Sequence, residues 1–167
     1  MLSHRDIARA LLIEAHADTS AALSTSLEAA QALWQAGVYA RCMAHCQHTV
    51  EKALKAVLAI RDVIITDRHD VSEDFRQTYA DWPLCEELAD IAADMESIGF
   101  RTEYPLFGRR DLPVWIPSER YTRIDADEAL RRATQVFESV ESRLATEHDI
   151  HRPTSERGKS QGEASGY

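Results

Sequence analysis

Glycine, proline and cysteine are scarce in this chain, which contains 6, 5 and 3 of them among 167 residues. With 44% hydrophobic and 28% charged residues, the composition is typical of a soluble globular protein, and its alanine, leucine and glutamate favour helices. The cysteines, Cys42, Cys46 and Cys85, are odd in number and lack a paired CxxC spacing. They therefore indicate free thiols in a reducing compartment.

Long hydrophobic runs are also missing, and this excludes a membrane-spanning helix. Near the N-terminus, Arg9 and Glu14 interrupt the segment that would have to be apolar in an export signal. We therefore expect a protein that stays in the cytoplasm and has no membrane partner.

Positive charge is in short supply, since the formal net charge is −9. This balance excludes a protein that coats nucleic acid through its overall charge, so any anion site must be local. The length predicts one domain with tails. We divide the chain into an N-terminal helical extension at 1–23, a helical bundle at 24–146 and a flexible polar tail at 147–167.

One segment, residues 37–58, is predicted to be a long helix around which the chain is arranged. Its two sides differ at helical spacing. The apolar side carries Met43, Cys46, Val50, Ala53, Leu54 and Val57, and the other side carries Arg41, His45, His48, Lys52 and Lys55. Glu51 lies at the edge of the basic side, where it can pair with Lys55 four residues later.

Three interpretations of this basic side remain open. It is a solvated helix face, or it is a platform for a phosphate-bearing ligand. A metal site made of Cys42, His45, Cys46 and His48 is disfavoured, because the cysteines point to the apolar side and the histidines away from it. We therefore expect neither a metal nor another cofactor.

Four segments have apolar stripes of similar length: 23–36, 42–58, 84–98 and 126–144. They predict an all-α protein, an up-and-down bundle of four to five helices with one shared core. Gly37 is expected to end one helix, and an interruption is expected at Asp18. We also expect Asp70 and Glu73 to cap a short helix, and Pro83 to lie in the first turn of the next long one.

Helical periodicity disappears between residues 99 and 123, where prolines, arginines and aromatic residues concentrate. A loop of this length within a compact domain is usually functional or disordered, and its aromatic residues argue against disorder. The sequence therefore predicts a long ordered loop before the last helix, and Arg101 and Tyr104 are its candidate binding residues.

Several short motifs occur in an order that resembles the HEPN domain. They are Gly37-Val-Tyr39, His45-Cys-Gln47, Val50-Glu-Lys-Ala-Leu-Lys-Ala56, His69-Asp-Val71, Arg101 with Tyr104-Pro105, and Tyr121 to Ala126. The resemblance implies a helical bundle, a homodimer and a genetic pairing with a minimal nucleotidyltransferase in prokaryotic defence or toxin–antitoxin modules.

Many HEPN proteins are ribonucleases that use an arginine, a polar residue and a histidine, with four to six residues between the arginine and the histidine. Two spacings here are similar, Arg41 to His48 and Arg143 to His148. In both, the residue after the arginine is not the polar residue that the motif needs: Cys42 follows Arg41, and Leu144 follows Arg143. Whether the protein is an enzyme is therefore left open by the sequence, and catalytic residues are not assigned.

The resemblance leads to three functional hypotheses. The first is a nucleotide- or RNA-binding subunit that acts with a minimal nucleotidyltransferase, the second is a metal-independent ribonuclease toxin, and the third is a non-catalytic structural dimer or adaptor. A ribonuclease would need a base, an acid and cations for the phosphorane. The candidate ligand-binding residues are Arg41, His45, His48, Glu51, Lys52, Lys55, His69, Arg101 and Tyr104.

Overall fold

The described part of the chain is helical, as predicted. A computed structural model describes residues 3–16, 27–103 and 116–151, except for the side chains of residues 14–16 and 99–103. Within these ranges the helices are α1 (His4–His16), α2 (Leu27–Gln35), α3 (Tyr39–Ile60), α4 (Ser72–Thr78), α5 (Cys85–Glu103), α6 (Pro117–Arg120) and α7 (Arg123–His148). The all-α class is confirmed, and α2, α3, α5 and α7 are the four helices that the apolar stripes predicted.

Helix α3 is the centre of the fold, because each of the other six described helices packs against it. Its predicted apolar side is buried throughout, and Cys46, Val50 and Leu54 are at most 1% exposed. Burial extends well beyond that stripe, to Ala56 and Ala59 among others. A helix that is surrounded on most sides buries more apolar surface per residue than an amphipathic surface helix does. Helix α3 therefore contributes much of the hydrophobic stabilisation.

Helices α2 and α3 form the predicted tight hairpin. Gly37 has a φ of 74°, the left-handed conformation that favours glycine. The Val38 amide donates to the Leu33 carbonyl at 2.9 Å, and the Gly37 amide donates to the Trp34 carbonyl at 3.0 Å. These two bonds satisfy carbonyl groups at the end of α2, so the chain reverses within a few residues.

The N-terminal extension is part of the same core. Ala8 and Leu12 of α1 are fully buried, and α1 packs against α3. His4 Nδ1 contacts the carboxylate of Asp62, which follows the end of α3. The first turn of α1 is thereby fixed beside the C-terminal end of the central helix. The interruption expected at Asp18 lies outside the described residues.

Helix α7 has defined ends. Thr122 and Asp125 form a capping box in which Asp125 Oδ2 accepts the Thr122 amide at 2.8 Å. At the other end Asp149 adopts a left-handed conformation, and the amide of buried Ile150 donates to the Leu144 carbonyl at 3.1 Å. These bonds fix the direction in which the chain leaves α7.

Three local predictions are wrong. Pro83 was expected in the first turn of the helix and Leu84 in its apolar stripe, but both precede α5, and Leu84 is 37% exposed. The Cys85 amide bonds to the Trp82 carbonyl, so these residues form a turn before the helix. Asp70 makes no capping box with Glu73, because its carboxylate accepts the Ser72 amide two residues later. The segment predicted as a loop from residue 99 is helical as far as Glu103 and again in α6, while 104–115 lie outside the described residues.

No helix in the described ranges has the length and apolar content needed to cross a membrane. The predicted tail after residue 151 also lies outside these ranges.

Candidate functional site

The five basic residues of α3 do not share one exposed surface. Arg41 is exposed, whereas His45, His48 and Lys52 are half-buried. The Nδ1 atoms of both histidines are buried, and Lys55 is only 9% exposed. The expected continuous basic face is therefore interrupted, because α3 is surrounded by other helices. A phosphate group could approach Arg41 most directly.

Glu51 is the centre of a polar network at the edge of this face. Its Oε1 accepts a hydrogen bond from Lys55 Nζ at 2.7 Å, and its Oε2 accepts one from Gln47 Nε2 at 3.3 Å. His69 Nδ1 lies 3.1 Å from the same Oε2. The predicted pair of Glu51 with Lys55 is present, and the fold adds His69 to it.

This network holds a carboxylate in its charged form within the protein. The Glu51 and Lys55 side chains are 11% and 10% exposed. Burial acts to raise the pKa of Glu51, but hydrogen bonds from Lys55 and His69 outweigh it, so the pKa is lowered overall. Glu51 is therefore ionised at neutral pH, and Lys55 neutralises it. Lys55 is consequently less available to an external phosphate than its sequence position suggested.

The same contact fixes the orientation of His69. An ionised carboxylate only accepts hydrogen bonds, so the Nδ1 of His69 must be the donor. In the neutral ring, Nε2 then carries the lone pair and can accept a proton. The His69 side chain is 73% exposed, whereas Glu51 behind it is 11% exposed. A histidine held by a carboxylate in this way has the arrangement of a general base or acid.

The connection from α3 to α4 places His69 beside Glu51. It leaves α3 through Asp62, which has a φ of 65°, and the Val63 amide bonds to the Leu58 carbonyl. Val71 is 1% exposed and fixes the other end in the core. Between His69 and α4, Asp70 accepts the Ser72 amide at 2.9 Å and its hydroxyl at 2.7 Å. These bonds lower the pKa of Asp70.

Sequence reasoning missed three residues of this site. Gln47 donates to Glu51, Asp70 fixes the turn after His69, and Arg68 lies next to His69. Arg68 is paired with Asp74 at 3.1 Å, with 57% of its side chain exposed. The spacing of Gln47 and Glu51, four residues apart on a helix, was the one signal that could have identified Gln47.

Two predicted site residues cannot be placed. Tyr104 lies outside the described residues, and Arg101 belongs to α5 but its side chain also lies outside them. Among the predicted residues, the structure therefore brings together Glu51, Lys55 and His69.

Arg143, the first residue of one ribonuclease-like spacing, has structural contacts. Its guanidinium lies 4.3 Å from the ring centre of Trp82 and 5.0 Å from that of Tyr79. Arg143 Nε also donates to Glu147 at 3.0 Å, and 13% of the side chain is exposed. Tyr79 is itself buried and donates its hydroxyl to the Val57 carbonyl at 2.7 Å. Arg143 thus serves to pack α7 against this aromatic cluster.

Metal-binding geometry is not found in the described ranges, where no group of three His, Cys, Asp or Glu side chains could hold an ion. Cys42 and Cys46 are fully buried on the core side of α3. His45 and His48 are half-buried.

Comparisons with known proteins agree with this architecture. The profile of the HEPN domain matches residues 24–143. The chain is 32% identical over 133 residues to a Methanocaldococcus jannaschii protein named "Putative toxin MJ1304", and the match spans 74% of this chain and 84% of that protein.

Two solved structures have the same fold. TT1696 from Thermus thermophilus is 25% identical, with a TM-score of 0.58, and the match covers 86% of this chain and 100% of TT1696. ST0689, an archaeal HEPN homologue, is 20% identical, with a TM-score of 0.51, and the match covers 86% and 99% of the two chains. The helical bundle arranged around α3, together with the profile match over most of its length, shows that this chain belongs to the HEPN domain family.

Proposed function

We propose that this chain is the nucleotide- or RNA-binding HEPN subunit of a prokaryotic toxin–antitoxin type module, acting as a homodimer with a minimal nucleotidyltransferase partner. Family membership and the toxin name of the Methanocaldococcus relative support this proposal. The observation that carries it is the contact of the exposed His69 ring with Glu51, whose side chain is 11% exposed. Arg41, on the same helix as Glu51, is exposed as well. Arg41 and Glu51, which His69 contacts, lie about 15 Å apart along α3, so Arg41 and His69 can contact different phosphates of an RNA strand without a metal ion.

A binding titration tests the proposal. Fluorescence anisotropy of a short RNA with a 5′-hydroxyl end should show binding that weakens steeply with salt. Arg41→Gln should reduce the affinity about three- to tenfold and lower the salt slope by about one phosphate contact. Arg131→Gln is the matched control, because it removes one exposed charge from α7. Equal losses in both variants would contradict a binding site at Arg41. The absence of salt-sensitive binding would leave only the adaptor hypothesis.

A second candidate function, metal-independent RNA cleavage, is favoured by the Glu51–His69 contact. A histidine whose Nδ1 donates to a carboxylate can take the proton of a 2′-hydroxyl at Nε2 while the 2′-oxygen attacks phosphorus. The P–O5′ bond then breaks to leave a 2′,3′-cyclic phosphate, and the departing 5′-oxygen takes a proton from water. Arg68, next to His69 in sequence, is the nearest cation along the chain for the phosphorane charge. The contact of His69 with Glu51 supports this chemistry without requiring Arg143.

Two histidine variants separate this site from the family's arginine–histidine spacing. If His69 is the base, His69→Ala should lower the cleavage rate by at least about 100-fold, while His148→Ala changes it little. The opposite result would assign catalysis to Arg143 and His148. Cleavage should persist in a chelator, and cleavage that requires an added divalent ion would contradict the metal-independent mechanism.

A further inference from the structure

An exposed patch of aromatic, apolar and basic side chains lies where the α2–α3 hairpin meets the start of α7. Arg123 lies over the ring of Trp34, with 4.7 Å between its guanidinium carbon and the ring centre. Val38 and Ile124 are 43% and 79% exposed, although both are apolar. Arg41 lies one helical turn after Val38 and is exposed as well. These five residues are named the hairpin patch.

The ring of Trp34 is held in place from two directions. Its Nε1 donates a hydrogen bond to Asp127 Oδ1 at 2.5 Å, and its apolar part packs against the core. Arg123 and Asp127 are four residues apart on α7, so both meet the same indole ring from one side of that helix. The guanidinium thus lies on a platform whose orientation is already fixed, which reduces the entropy that is lost when a ligand binds.

Neither arginine of the hairpin patch is neutralised by an ion pair. Among the described residues, no carboxylate lies within ion-pair distance of Arg41 or Arg123. Asp127, one turn after Arg123, accepts from Trp34 instead. Elsewhere on α7 the arginines bind carboxylates, and Arg131 does so at 2.7 Å. The guanidinium of Arg123 is therefore placed by an aromatic ring and not by a carboxylate.

A planar guanidinium that lies on an aromatic ring has a second face. Arg123 is exposed, so a ligand can reach that face, and exposed Ile124 beside it offers apolar surface. Bases of single-stranded RNA stack on guanidinium planes as well as on aromatic rings. Asp125 and Asp127 in the same turn of α7 bring the local net charge close to zero. The patch therefore fits a flat, uncharged base better than a phosphate.

We infer that Arg123, supported by Trp34, is a stacking site for an unpaired base of single-stranded RNA. This inference rests on the proposed function, in which Arg41 and His69 contact phosphates of the same strand. The site selects single-stranded over double-stranded RNA, because the bases of a duplex are already stacked. It tolerates any base, since every base has a flat face.

A double-mutant cycle between the protein and the RNA tests the inference by fluorescence anisotropy. Arg123→Lys keeps the charge but removes the planar group, so it should weaken binding of a short single-stranded RNA about five- to tenfold. Arg131→Lys is the matched control, because Arg131 is exposed on the same helix, and it should stay within about twofold. Arg123→Lys should not weaken binding of the same RNA with abasic sites in place of its bases.

NMR of the unaltered protein gives a second readout. The Nε–H signal of Arg123 should shift upfield when the intact RNA binds, because the stacked base places it within a ring current, and it should stay in place with the abasic RNA. The Nε–H signal of Arg131, which is bonded to Glu128, should not move with either. This comparison needs no variant to fold, and circular dichroism checks the folding of the two lysine variants.

The outcomes separate this site from the proposed function. RNA binding with an unmoved Arg123 signal, equal losses in the two lysine variants, or an equal effect of Arg123→Lys on intact and abasic RNA would overturn the stacking site alone. Absence of RNA binding by the parent would overturn both. If Ile124→Ser lowers the mass measured by light scattering without RNA, the hairpin patch is a contact between two copies of the chain, which also overturns the stacking site.

Discussion

Glu51 is a charged residue that the fold buries, and its partners determine the energetics of the site. A buried ion pair contributes little compared with a hydrophobic pair of the same size, but removing one partner is costly because the other charge is left buried. Lys55 is in this position, since its Nζ bonds to Glu51 with both side chains about nine-tenths buried. The pair therefore contributes to the integrity of α3 as well as to the orientation of His69.

We expect Glu51→Gln to lower the free energy of unfolding by about 2–4 kcal/mol at pH 7, because Lys55 loses its counter-charge. Urea denaturation measures this difference. Glu51→Gln, Lys55→Met is the control, and it should recover most of the loss because no charge remains buried. A single variant as stable as the parent would contradict the buried ion pair.

The effect of Glu51 also depends on pH. The pKa of Glu51 is lower in the folded protein than its ordinary value of 4.5. Its ionised form therefore stabilises the fold above about pH 4.5, and this contribution is lost as the pH falls through the lowered pKa. The difference in unfolding free energy between the parent and Glu51→Gln should shrink below pH 4.5. A difference that stays constant down to about pH 3 would contradict this linkage.

At the scale of the elements, helix ends are determined by local hydrogen bonds. Thr122 and Asp125 cap α7, and Gly37 ends α2 in a conformation that other residues adopt at a cost. Each device acts within one turn, so each can be tested without disturbing the site.

Thr122→Ala should destabilise the protein by about 1 kcal/mol, because the first turn of α7 loses a hydrogen-bond partner. Thermal melting with a matched van't Hoff analysis measures the change. Thr146→Ala is the control, since Thr146 is exposed near the other end of the same helix. A loss that is equal in the two variants would show that the cap contributes nothing specific.

Gly37→Ala should cost about 1–2 kcal/mol, because alanine is strained at a φ of 74°. There is room for the added methyl group, whose nearest neighbour is the Tyr39 hydroxyl at 3.9 Å, so the cost is conformational. Gly37→Asn should cost less, since asparagine tolerates this region better. If both variants melt like the parent, the hairpin does not depend on the glycine.

The sequence predicted the bundle helices well because burial imposes a regular spacing on apolar residues. The sequence-based prediction failed where one local hydrogen bond replaced another. Asp70 was expected to form a capping box with Glu73, but its carboxylate accepts the Ser72 amide. The contact of His69 with Glu51 could not be read from periodicity, since it joins residues 18 positions apart through an irregular connection. The burial of Lys55 was equally hidden, because it depends on how helices surround α3.

On the scale of the whole molecule, the shared core is the main source of stability. Leu88 is fully buried in it, whereas Leu130 packs against it only in part. Leu88→Asp should cost at least about 4 kcal/mol and abolish cooperative unfolding, because an unpaired charge would enter the core. Leu130→Asp should cost less than half as much, since its carboxylate can reach water. The reverse order in urea denaturation would contradict the assigned core.

The resemblance to the HEPN family also predicts a homodimer. Light scattering at micromolar concentration should then give a mass near twice 18.8 kDa. A mass equal to that of one chain would contradict the dimer.

Contact between the ligand and His69, held by Glu51, is the central claim for this protein. The most direct measurement is a ¹⁵N NMR spectrum of the histidine side chains during titration with a short 5′-hydroxyl RNA, with His69 assigned through a His69→Gln variant. We predict that the Nε2 signal of His69 shifts as the RNA binds, while the signals of His148 remain in place. A His69 signal that does not move when binding is complete would contradict the claim.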